Sequence, residues 1–258
     1  MTELIEEHTQ TILGGKGSGK TTLLIYKGVE LSPTERKVLL IDCGGVITKT
    51  KLSQFPTEIR DKIRLVSLQK KGLSRIVESK KQLLTLLKLL LGNNEKLTIL
   101  RLELTASESW VFFQLVSEYL LKLKNLVVMI DEAQEVLPQA GSGNYSQELE
   151  RLIRVGRNYN TVVYLSSQRP QYLNKKVMAL SDIFYFGHMD YYLDSRICSE
   201  ILGIVATKDR NNLRRSLKSI KLGKFYVVKD GKISLVKYDI KTGKEEVVIT
   251  KPVTWLGE

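Results

Sequence analysis

A glycine-rich stretch near the start of the chain has the residue types that bind phosphate groups. Residues 14–21 read Gly-Gly-Lys-Gly-Ser-Gly-Lys-Thr and match the pattern G-x-x-x-x-G-K-[ST] at every fixed position. The apolar residues 11–13 predict a strand before the stretch, and residues 20–29 predict a helix after it. Glycines let the backbone curl so that successive amides point at phosphate oxygens, and a helix N-terminus adds partial positive charge. The stretch therefore predicts a nucleotide-binding P-loop.

Two side chains of the predicted P-loop have distinct expected roles. The Lys20 ammonium would reach the β- and γ-phosphates of ATP, and the Thr21 hydroxyl would ligate Mg²⁺. An ordinary glycine-rich turn before a helix is the alternative, and the Lys-Thr pair with its flanking elements disfavours it. The residues expected to surround the nucleotide are Gly14, Gly15, Lys16, Gly17, Ser18, Gly19, Lys20, Thr21 and Thr22.

A second group of candidate residues follows an apolar run at residues 126–130. Such a run predicts a strand covered on both faces, and it ends in the carboxylates of Asp131 and Glu132. After a P-loop this is the Walker B pattern. Asp131 would hold Mg²⁺ through water, and Glu132 would orient and deprotonate the attacking water. Taken alone, the acidic pair could equally end a strand with no chemical role; the P-loop favours the catalytic interpretation.

Composition narrows the class of protein. A chain of 258 residues that is 43% hydrophobic is expected to form one α/β domain with a substantial core. The formal net charge of +12 favours a polyanionic partner, with nucleic acid first and an anionic membrane surface second. Cys43 and Cys198 are far apart, which indicates free thiols in a reducing compartment such as the cytoplasm. The acidic N-terminus is unlike a signal peptide, and no apolar stretch is long enough to span a bilayer, so membrane insertion is not expected.

Strand and helix patterns alternate along the chain and predict a mostly parallel sheet flanked by helices. The helix at 83–91 is apolar nearly all round and is expected to be buried, and Trp110 is expected in the core. Asp230-Gly231 predicts a hairpin in an antiparallel C-terminal ribbon. The predicted strands are 11–13, 37–42, 63–68, 97–102, 126–130, 161–165, 183–186, 225–228, 233–238 and 247–249, and the other helices are 20–29, 105–124, 146–158, 193–202 and 211–217.

Basic residues concentrate in two places. Arg151, Arg154 and Arg157 recur every three residues of the predicted helix 146–158, which keeps them on one side. Residues 208–224 carry seven basic residues against one acidic residue, half of the net charge of +12. That density is an electrostatic footprint for a phosphate backbone, and a solvated basic face is the alternative for both stretches. Residues 139–144 form a predicted flexible surface loop.

Residues 131–170 resemble the HerA/FtsK superfamily of DNA-pumping ATPases. The resemblance rests on the Walker B pair, on Arg-Leu-Ile-Arg-Val-Gly-Arg-Asn at 151–158 and on Leu-Ser-Ser-Gln-Arg-Pro at 165–170. The Leu-Ile-Asp-Cys-Gly-Gly turn at 40–45 and Asp-Ser-Arg at 194–196 are similar to further segments of the family, so that the resemblance covers about residues 10–230. A chain of this size is most similar to the compact genome-packaging ATPases of viruses.

The resemblance implies a single RecA-like P-loop ATPase domain over residues 1–258. In its sheet the strand ending at Gln168 would lie between the P-loop and Walker B strands, and Gln168 would sense the γ-phosphate. It also implies a homo-oligomeric ring, usually a hexamer, that grips double-stranded DNA, with a capsid or portal as a further partner. The expected location is the cytoplasm, for example that of a virus-infected host cell. Association of the protein with the virion is the other expected location.

An arginine from a neighbouring subunit is expected to complete catalysis, because the P-loop and Walker B stretches are expected to supply no second cation. Arg157 ranks first, since Gly156 and Asn158 would flank it with flexible backbone, followed by Arg154, Arg169 and Arg196. For each arginine, a salt bridge or a contact with DNA is the alternative role.

The predicted function is ATP-driven translocation of double-stranded DNA, for example to package a viral genome. No Asn-Lys-x-Asp follows the P-loop and no Leu-Ser-Gly-Gly-Gln is present, which disfavours GTPases and transporter ATPases. Asp-Glu-Ala-Gln at 131–134 matches the helicase DExx box only superficially, because those enzymes need two motor lobes. An AAA+-like replication initiator or loader and a nucleotide-switched adaptor without motor activity remain alternatives.

Overall fold

A computed structural model of the protein describes residues 7–34, 36–92, 96–139, 145–239, 242 and 244–252. Ten strands form one sheet, and their bounds agree with the predicted strands to within a few residues. The strands are β1 (Thr9–Leu13), β2 (Lys37–Asp42), β3 (Ile63–Gln69), β4 (Leu97–Glu103), β5 (Leu126–Asp131), β6 (Val162–Ser167), β7 (Ile183–Phe186), β8 (Lys224–Lys229), β9 (Lys232–Tyr238) and β10 (Glu245–Pro252).

The strand order is β10-β9-β8-β7-β1-β6-β5-β2-β4-β3. Seven strands, from β7 to β3, are parallel to one another, and β8, β9 and β10 add an antiparallel ribbon beyond β7. This confirms the predicted α/β fold with a mostly parallel sheet and a C-terminal ribbon. Strand β6 lies between β1 and β5, as the resemblance implied.

Helices cover both faces of the sheet. They are α1 (Lys20–Leu31), α2 (Lys49–Leu52), α3 (Thr57–Arg60), α4 (Lys70–Glu78), α5 (Lys80–Leu91), α6 (Ala106–Leu121), α7 (Gln147–Val155), α8 (Lys175–Met178), α9 (Tyr192–Ile201) and α10 (Thr207–Ser219). The side chains of β5 alternate between the two resulting cores. Val128 and Ile130 pack with α6 and α7, while Val127 and Met129 pack with α1. The uninterrupted apolar sequence of β5 follows from this two-sided burial.

The parallel strands end at one edge of the sheet, and the chemistry-bearing residues lie there. Their register sets Asp42 beside Asp131 and Leu13 beside Ser167 and Phe186. Since α/β sheets bind ligands outside the carboxyl ends of their strands, this edge is where the fold places a site.

Two local sequence signals for turns and caps are confirmed. Asp230 and Gly231 join β8 to β9 with φ of 50° and 69°, the positive values that a tight hairpin turn requires. Thr105 caps α6, its side chain accepting from the Glu108 amide while the Glu108 carboxylate accepts from the Thr105 amide, which forms the predicted capping box.

Three expectations about helices are wrong. Helix α5 is buried on one face only, because Leu84 and Leu89 are 40% and 41% exposed. Trp110 is only half-buried, and its Nε1 donates to the Tyr145 carbonyl at 3.1 Å. The predicted helix 146–158 ends at Val155, and residues 156–159 continue as a short 3₁₀ turn. None of the helices in the described part of the chain combines the length and hydrophobicity needed to cross a bilayer.

Adjacent leucines of α5 test the one-sided burial. Leu90 is 1% exposed and Leu89 is 41% exposed. We expect Leu90→Ala to lower the free energy of unfolding by about 2–5 kcal/mol, because it removes buried methyl groups and leaves a cavity. The matched control Leu89→Ala should change it by no more than about 0.5 kcal/mol. Denaturant unfolding monitored by circular dichroism measures both, and equal losses would mean that α5 is covered on both faces.

Candidate nucleotide-binding site

Hydrogen bonds to the end of β6 and to the loop after β7 hold the start of the P-loop. The Gly14 amide donates to the Ser167 carbonyl at 3.2 Å, and the Gly15 amide donates to the His188 carbonyl at 2.7 Å. Gly19 has a φ of 98°, a left-handed conformation that glycine adopts without strain, and helix α1 begins at the next residue. A Cβ atom on Gly14 would lie 2.6 Å from Ser18 Oγ, so a larger residue there would displace the Ser18 side chain.

The P-loop presents polar groups that suit a polyanion. The amides of Gly19, Lys20 and Thr21 find no backbone acceptor within the described ranges, as expected at the start of a helix. The Ser18 hydroxyl is buried and has no partner among the described residues. Backbone donors converging at a helix N-terminus form an anion site, and these groups therefore fit the phosphates of a nucleotide.

Lys20 supplies a cation at the same place. The residue is 5% exposed, and its ammonium donates to the Gly15 carbonyl at 3.1 Å. Burial lowers the pKa of Lys20, while the nearby Glu132 and Asp131 carboxylates act in the opposite direction. A largely desolvated ammonium between two acids is placed to pair with phosphate.

Asp131 joins the P-loop to two strands of the sheet. Its Oδ2 accepts from Thr21 Oγ1 at 2.7 Å, and its Oδ1 accepts from Ser166 Oγ, which β6 contributes. The side chain is fully buried. A carboxylate and a hydroxyl side by side are hard oxygen donors, the type that Mg²⁺ prefers, so the predicted pair Thr21 and Asp131 fits that ion. Ser166, which orients Asp131, was not predicted from the sequence as a site residue.

Glu132 has an unusual backbone that directs its carboxylate across the site. Its φ of 57° and ψ of 48° are left-handed, which is uncommon for a residue other than glycine. Glu132 Oε2 accepts from Gln134 Nε2 at 2.7 Å and from the Gln168 amide at 3.4 Å. Burial, followed by the charge of Asp131, raises the pKa of Glu132.

A cleft of ≈ 560 Å³ lies between the P-loop and the ends of the neighbouring strands. Glu132 and Gln168 also line it, so the structure brings these two predicted catalytic residues to the cleft that the P-loop borders. Six predicted nucleotide-binding residues line it, namely Lys16, Gly17, Gly19, Lys20, Thr21 and Thr22. Gly14, Gly15 and Ser18 lie behind them and support the loop.

Lys51 also lines this cleft, and the sequence did not identify it. It belongs to α2, whose Thr48 cap accepts from the Lys51 amide at 3.1 Å. The turn before α2 is held by Asp42, whose Oδ2 accepts from the Ile47 amide at 2.6 Å. The charge of Lys51 contributes to the lowered pKa of Lys20, which places the two ammonium groups near each other. The Asp-Cys-Gly-Gly turn at the end of β2 was the available signal for a second wall of the site.

Lys16 and Lys51 correct one premise of the sequence analysis. The P-loop itself provides a second cation in Lys16, and α2 provides a third. The cleft of a single subunit therefore has three ammonium groups, with Lys20, and an arginine in trans is not required merely to supply positive charge.

The candidate arginines are distributed over both edges of the sheet. Arg157 lies in the 3₁₀ turn before β6, at the edge opposite the P-loop, and does not line the cleft of its own subunit. The premise of flexible flanks is wrong, because Gly156 is buried and a Cβ on it would lie 3.2 Å from Thr161.

The other arginines differ in their partners. Arg154 and Arg157 are exposed and form no ion pair with the residues that the structure describes. Arg169 pairs with Asp194 at 3.7 Å, and Arg196 pairs with Glu200 at 3.1 Å. Of the predicted loop at 139–144, only Gln139 lies within the described residues. The backbone amide of Gln139 donates to the Tyr172 carbonyl at 2.8 Å.

Comparison with known proteins gives matches in structure only. No protein-family model matches the chain, and no curated protein matches it in sequence. The genome packaging NTPase B204 from Sulfolobus turreted icosahedral virus 2, in complex with AMPPCP, superposes with a TM-score of 0.57 at 15% identity, over 95% of this chain and 98% of that one. The same NTPase in complex with ATP-gammaS gives a TM-score of 0.51 at 16% identity, over 95% and 97%.

A further solved structure agrees with these. The DNA-packaging ATPase B204 from Sulfolobus Turreted Icosahedral Virus superposes with a TM-score of 0.53 at 14% identity, over 95% of this chain and 97% of that one. The chain thus shares the P-loop NTPase fold of these packaging proteins across most of its length. The predicted resemblance is confirmed at the level of the fold.

A substitution of Lys51 tests whether this side chain contacts the phosphates of a nucleotide in the cleft. We expect Lys51→Met to weaken binding of ATP about tenfold, because a charge-assisted hydrogen bond contributes about 1.5–3 kcal/mol. Binding of ADP should change less, since ADP has no γ-phosphate to pair with the Lys51 ammonium. Lys49→Met is the matched control, because Lys49 is exposed on the same short helix. Titration calorimetry with both nucleotides measures the effect, and equal affinities of the two variants would exclude a contact between Lys51 and phosphate.

Proposed function

We propose that the protein hydrolyses ATP and couples this reaction to the translocation of double-stranded DNA, as a genome-packaging motor does. The observation that carries the proposal is the arrangement around the cleft. The P-loop with Lys20 faces Glu132 and Gln168, and Thr21 is bonded to Asp131 behind them. The fold supports it, since solved packaging NTPases with this fold hold ATP analogues.

Binding of the triphosphate is assigned to the P-loop. The free amides at the start of α1 would donate to phosphate oxygens, and the Lys20 ammonium would exchange the Gly15 carbonyl for the β- and γ-phosphates. Lys16 and Lys51 would add positive charge from two further directions. Mg²⁺, held by Thr21 and Asp131, would neutralise charge on the phosphate oxygens when bound.

Catalysis is assigned to Glu132. Its carboxylate points into the cleft from a left-handed backbone, and the bonds from Gln134 and the Gln168 amide fix its orientation. A carboxylate held in this way can accept the proton of a water that attacks the γ-phosphorus. Gln168 would contact the γ-phosphate through its side chain and sense its loss as one hydrogen bond. Because Gln168 also bonds Glu132, that loss would be transmitted to the Walker B strand.

DNA binding and assembly complete the proposal. The net charge of +12 and the exposed cations of α10 suit the phosphate backbone of DNA. The motor would act as a ring of identical subunits, for which a hexamer is the expected state, with a capsid or portal as its docking partner. An arginine of the neighbouring subunit, one of Arg157, Arg154, Arg169 and Arg196, would reach the γ-phosphate in trans.

ATP hydrolysis with and without duplex DNA tests the function. We expect duplex DNA to stimulate ATPase activity, and Glu132→Gln to lower kcat by at least about 100-fold while ATP stays bound, since an amide cannot accept the proton of water. Glu118→Gln, an exposed glutamate on α6, is the matched control and should leave both measurements unchanged. Unchanged turnover in Glu132→Gln would show that another residue is the base. An ATPase indifferent to DNA would favour a nucleotide-switched adaptor.

A mixing experiment tests the arginine in trans. Arg157→Ala and Lys20→Ala subunits are each expected to be inactive, and mixed rings should regain part of the ATPase activity. Each mutant subunit then supplies the half of the site that the other lacks, and a trans arginine raises the rate about 10³-fold or more. The same mixing experiment is repeated with Arg154→Ala, Arg169→Ala and Arg196→Ala in place of Arg157→Ala. If mixed rings form and none of the four restores activity, the three lysines of one cleft suffice for catalysis.

A further inference from the structure

Two adjacent exposed tyrosines each contact an arginine on the surface beside the candidate site. Tyr191 and Tyr192, at the start of α9, are 47% and 51% exposed. The Arg169 guanidinium lies 5.5 Å from the centre of the Tyr191 ring, and the Arg214 guanidinium lies 5.2 Å from that of Tyr192. These two contacts, at adjacent positions of the chain, are together called here the Arg-Tyr row, and they join the end of β6 to α10.

Helix α10 continues this row as a line of positive charge. Arg210, Arg214 and Lys218 are spaced four residues apart and are all exposed, while Leu213 and Leu217 bury the other face of the helix. A spacing of four residues puts successive cations about 6 Å apart along the helix. Arg214 and Lys218 form no ion pair with any described acidic residue. A linear row of unpaired cations is suited to follow a phosphate backbone.

The tyrosines add a second kind of contact. Each ring has a guanidinium over one face, and about half of each residue remains open to solvent. An aromatic ring beside a cationic track is the arrangement that stacks unpaired bases, because every base has a π-face. Bases in an intact duplex are stacked on one another and cannot reach such a ring. The rings therefore favour an unpaired strand over a duplex, and the cations exclude an apolar partner.

Hydrogen bonds connect this surface to the P-loop. Arg169 follows Gln168 directly, and the Arg169 amide donates to Ser167 Oγ at 3.1 Å. In the loop before α9, the His188 carbonyl accepts a hydrogen bond from the Gly15 amide at 2.7 Å. The Met189 amide of the same loop donates to the Leu217 carbonyl of α10 at 3.1 Å. Two short paths of hydrogen bonds thus lead from the P-loop and the end of β6 to the two ends of the Arg-Tyr row.

We propose that the Arg-Tyr row and the adjoining cations of α10 bind single-stranded DNA, with unpaired bases stacked on Tyr191 and Tyr192 and phosphates on Arg210, Arg214 and Lys218. This deepens the proposed function, on which it rests for a nucleic acid partner, and adds a second form of DNA as a ligand. The bound strand would respond to the nucleotide state through Gln168 and Arg169.

Fluorescence anisotropy with a labelled 20-nucleotide oligo-dT and a 20-base-pair duplex tests the proposal. The full chain with Tyr191→Ala and Tyr192→Ala should bind oligo-dT at least about fivefold more weakly, since stacking contributes about 1–3 kcal/mol per base. Its affinity for the duplex should stay within about twofold of the unchanged protein, because phosphates dominate duplex binding. Replacing both tyrosines with phenylalanine should restore oligo-dT binding, since the rings remain. Tyr159→Ala, at the opposite edge of the sheet and 37% exposed, is the matched control.

Each contrary outcome has a definite meaning. Unchanged oligo-dT affinity in the double alanine variant overturns the proposal, and so does an equal loss for oligo-dT and duplex. A change in the mass of the assembly without a change in oligo-dT binding would also overturn it and identify the row as a subunit interface. Duplex binding by the unchanged protein without oligo-dT binding defeats this inference but leaves the proposed function standing. Failure to bind either DNA contradicts both.

Discussion

The buried carboxylate of Asp131 is the group on which the rest of the site depends. A fully buried carboxylate is costly unless its oxygens are bonded, and here the bonds come from Thr21 and Ser166. The Thr21 bond spans 110 residues of sequence and ties the first turn of α1 to the end of β5. The Ser166 bond ties β5 to β6. Three elements are therefore fixed relative to one another by one side chain, and the cleft is the space that they enclose.

Much of the fold could be predicted because its signals are local. The apolar runs of β2, β5 and β7, the Asp230-Gly231 turn and the Thr105 capping box each depend on neighbouring residues, and each is confirmed. The P-loop and Walker B stretches were recognisable for the same reason. Lys51 was not, because its place in the cleft depends on how Asp42 folds the turn before α2. The exposed leucines of α5 were missed because periodicity shows that a helix is apolar but not which neighbours cover it.

Glu132 and Gln168 show how two strand ends can act as one unit. Strand β6 brings Gln168 beside Glu132, and the bond from the Gln168 amide to the Glu132 carboxylate links them at 3.4 Å. The left-handed backbone of Glu132 costs free energy, of order 1–3 kcal/mol for such a conformation, and it turns the chain sharply after β5. That turn directs the carboxylate into the cleft. In the proposed mechanism, this bond would couple the movement of the sensor Gln168 to that of the base Glu132.

The C-terminal ribbon belongs to the site as well as to the sheet edge. Antiparallel pairing of β8 with β7 fixes the segment just before β8, which lies over the P-loop. A Cβ on Gly19 would lie 3.5 Å from the Leu222 side chain and 3.6 Å from the Gly223 amide nitrogen. Leu222 is 59% exposed there and lines the cleft beside Thr22. An apolar side chain at the mouth of a phosphate-binding loop is suited to cover the base or ribose of a nucleotide. The same segment directly follows α10 in the chain. The helix that carries the cations Arg210, Arg214 and Lys218 is therefore joined directly to the segment at the mouth of the cleft.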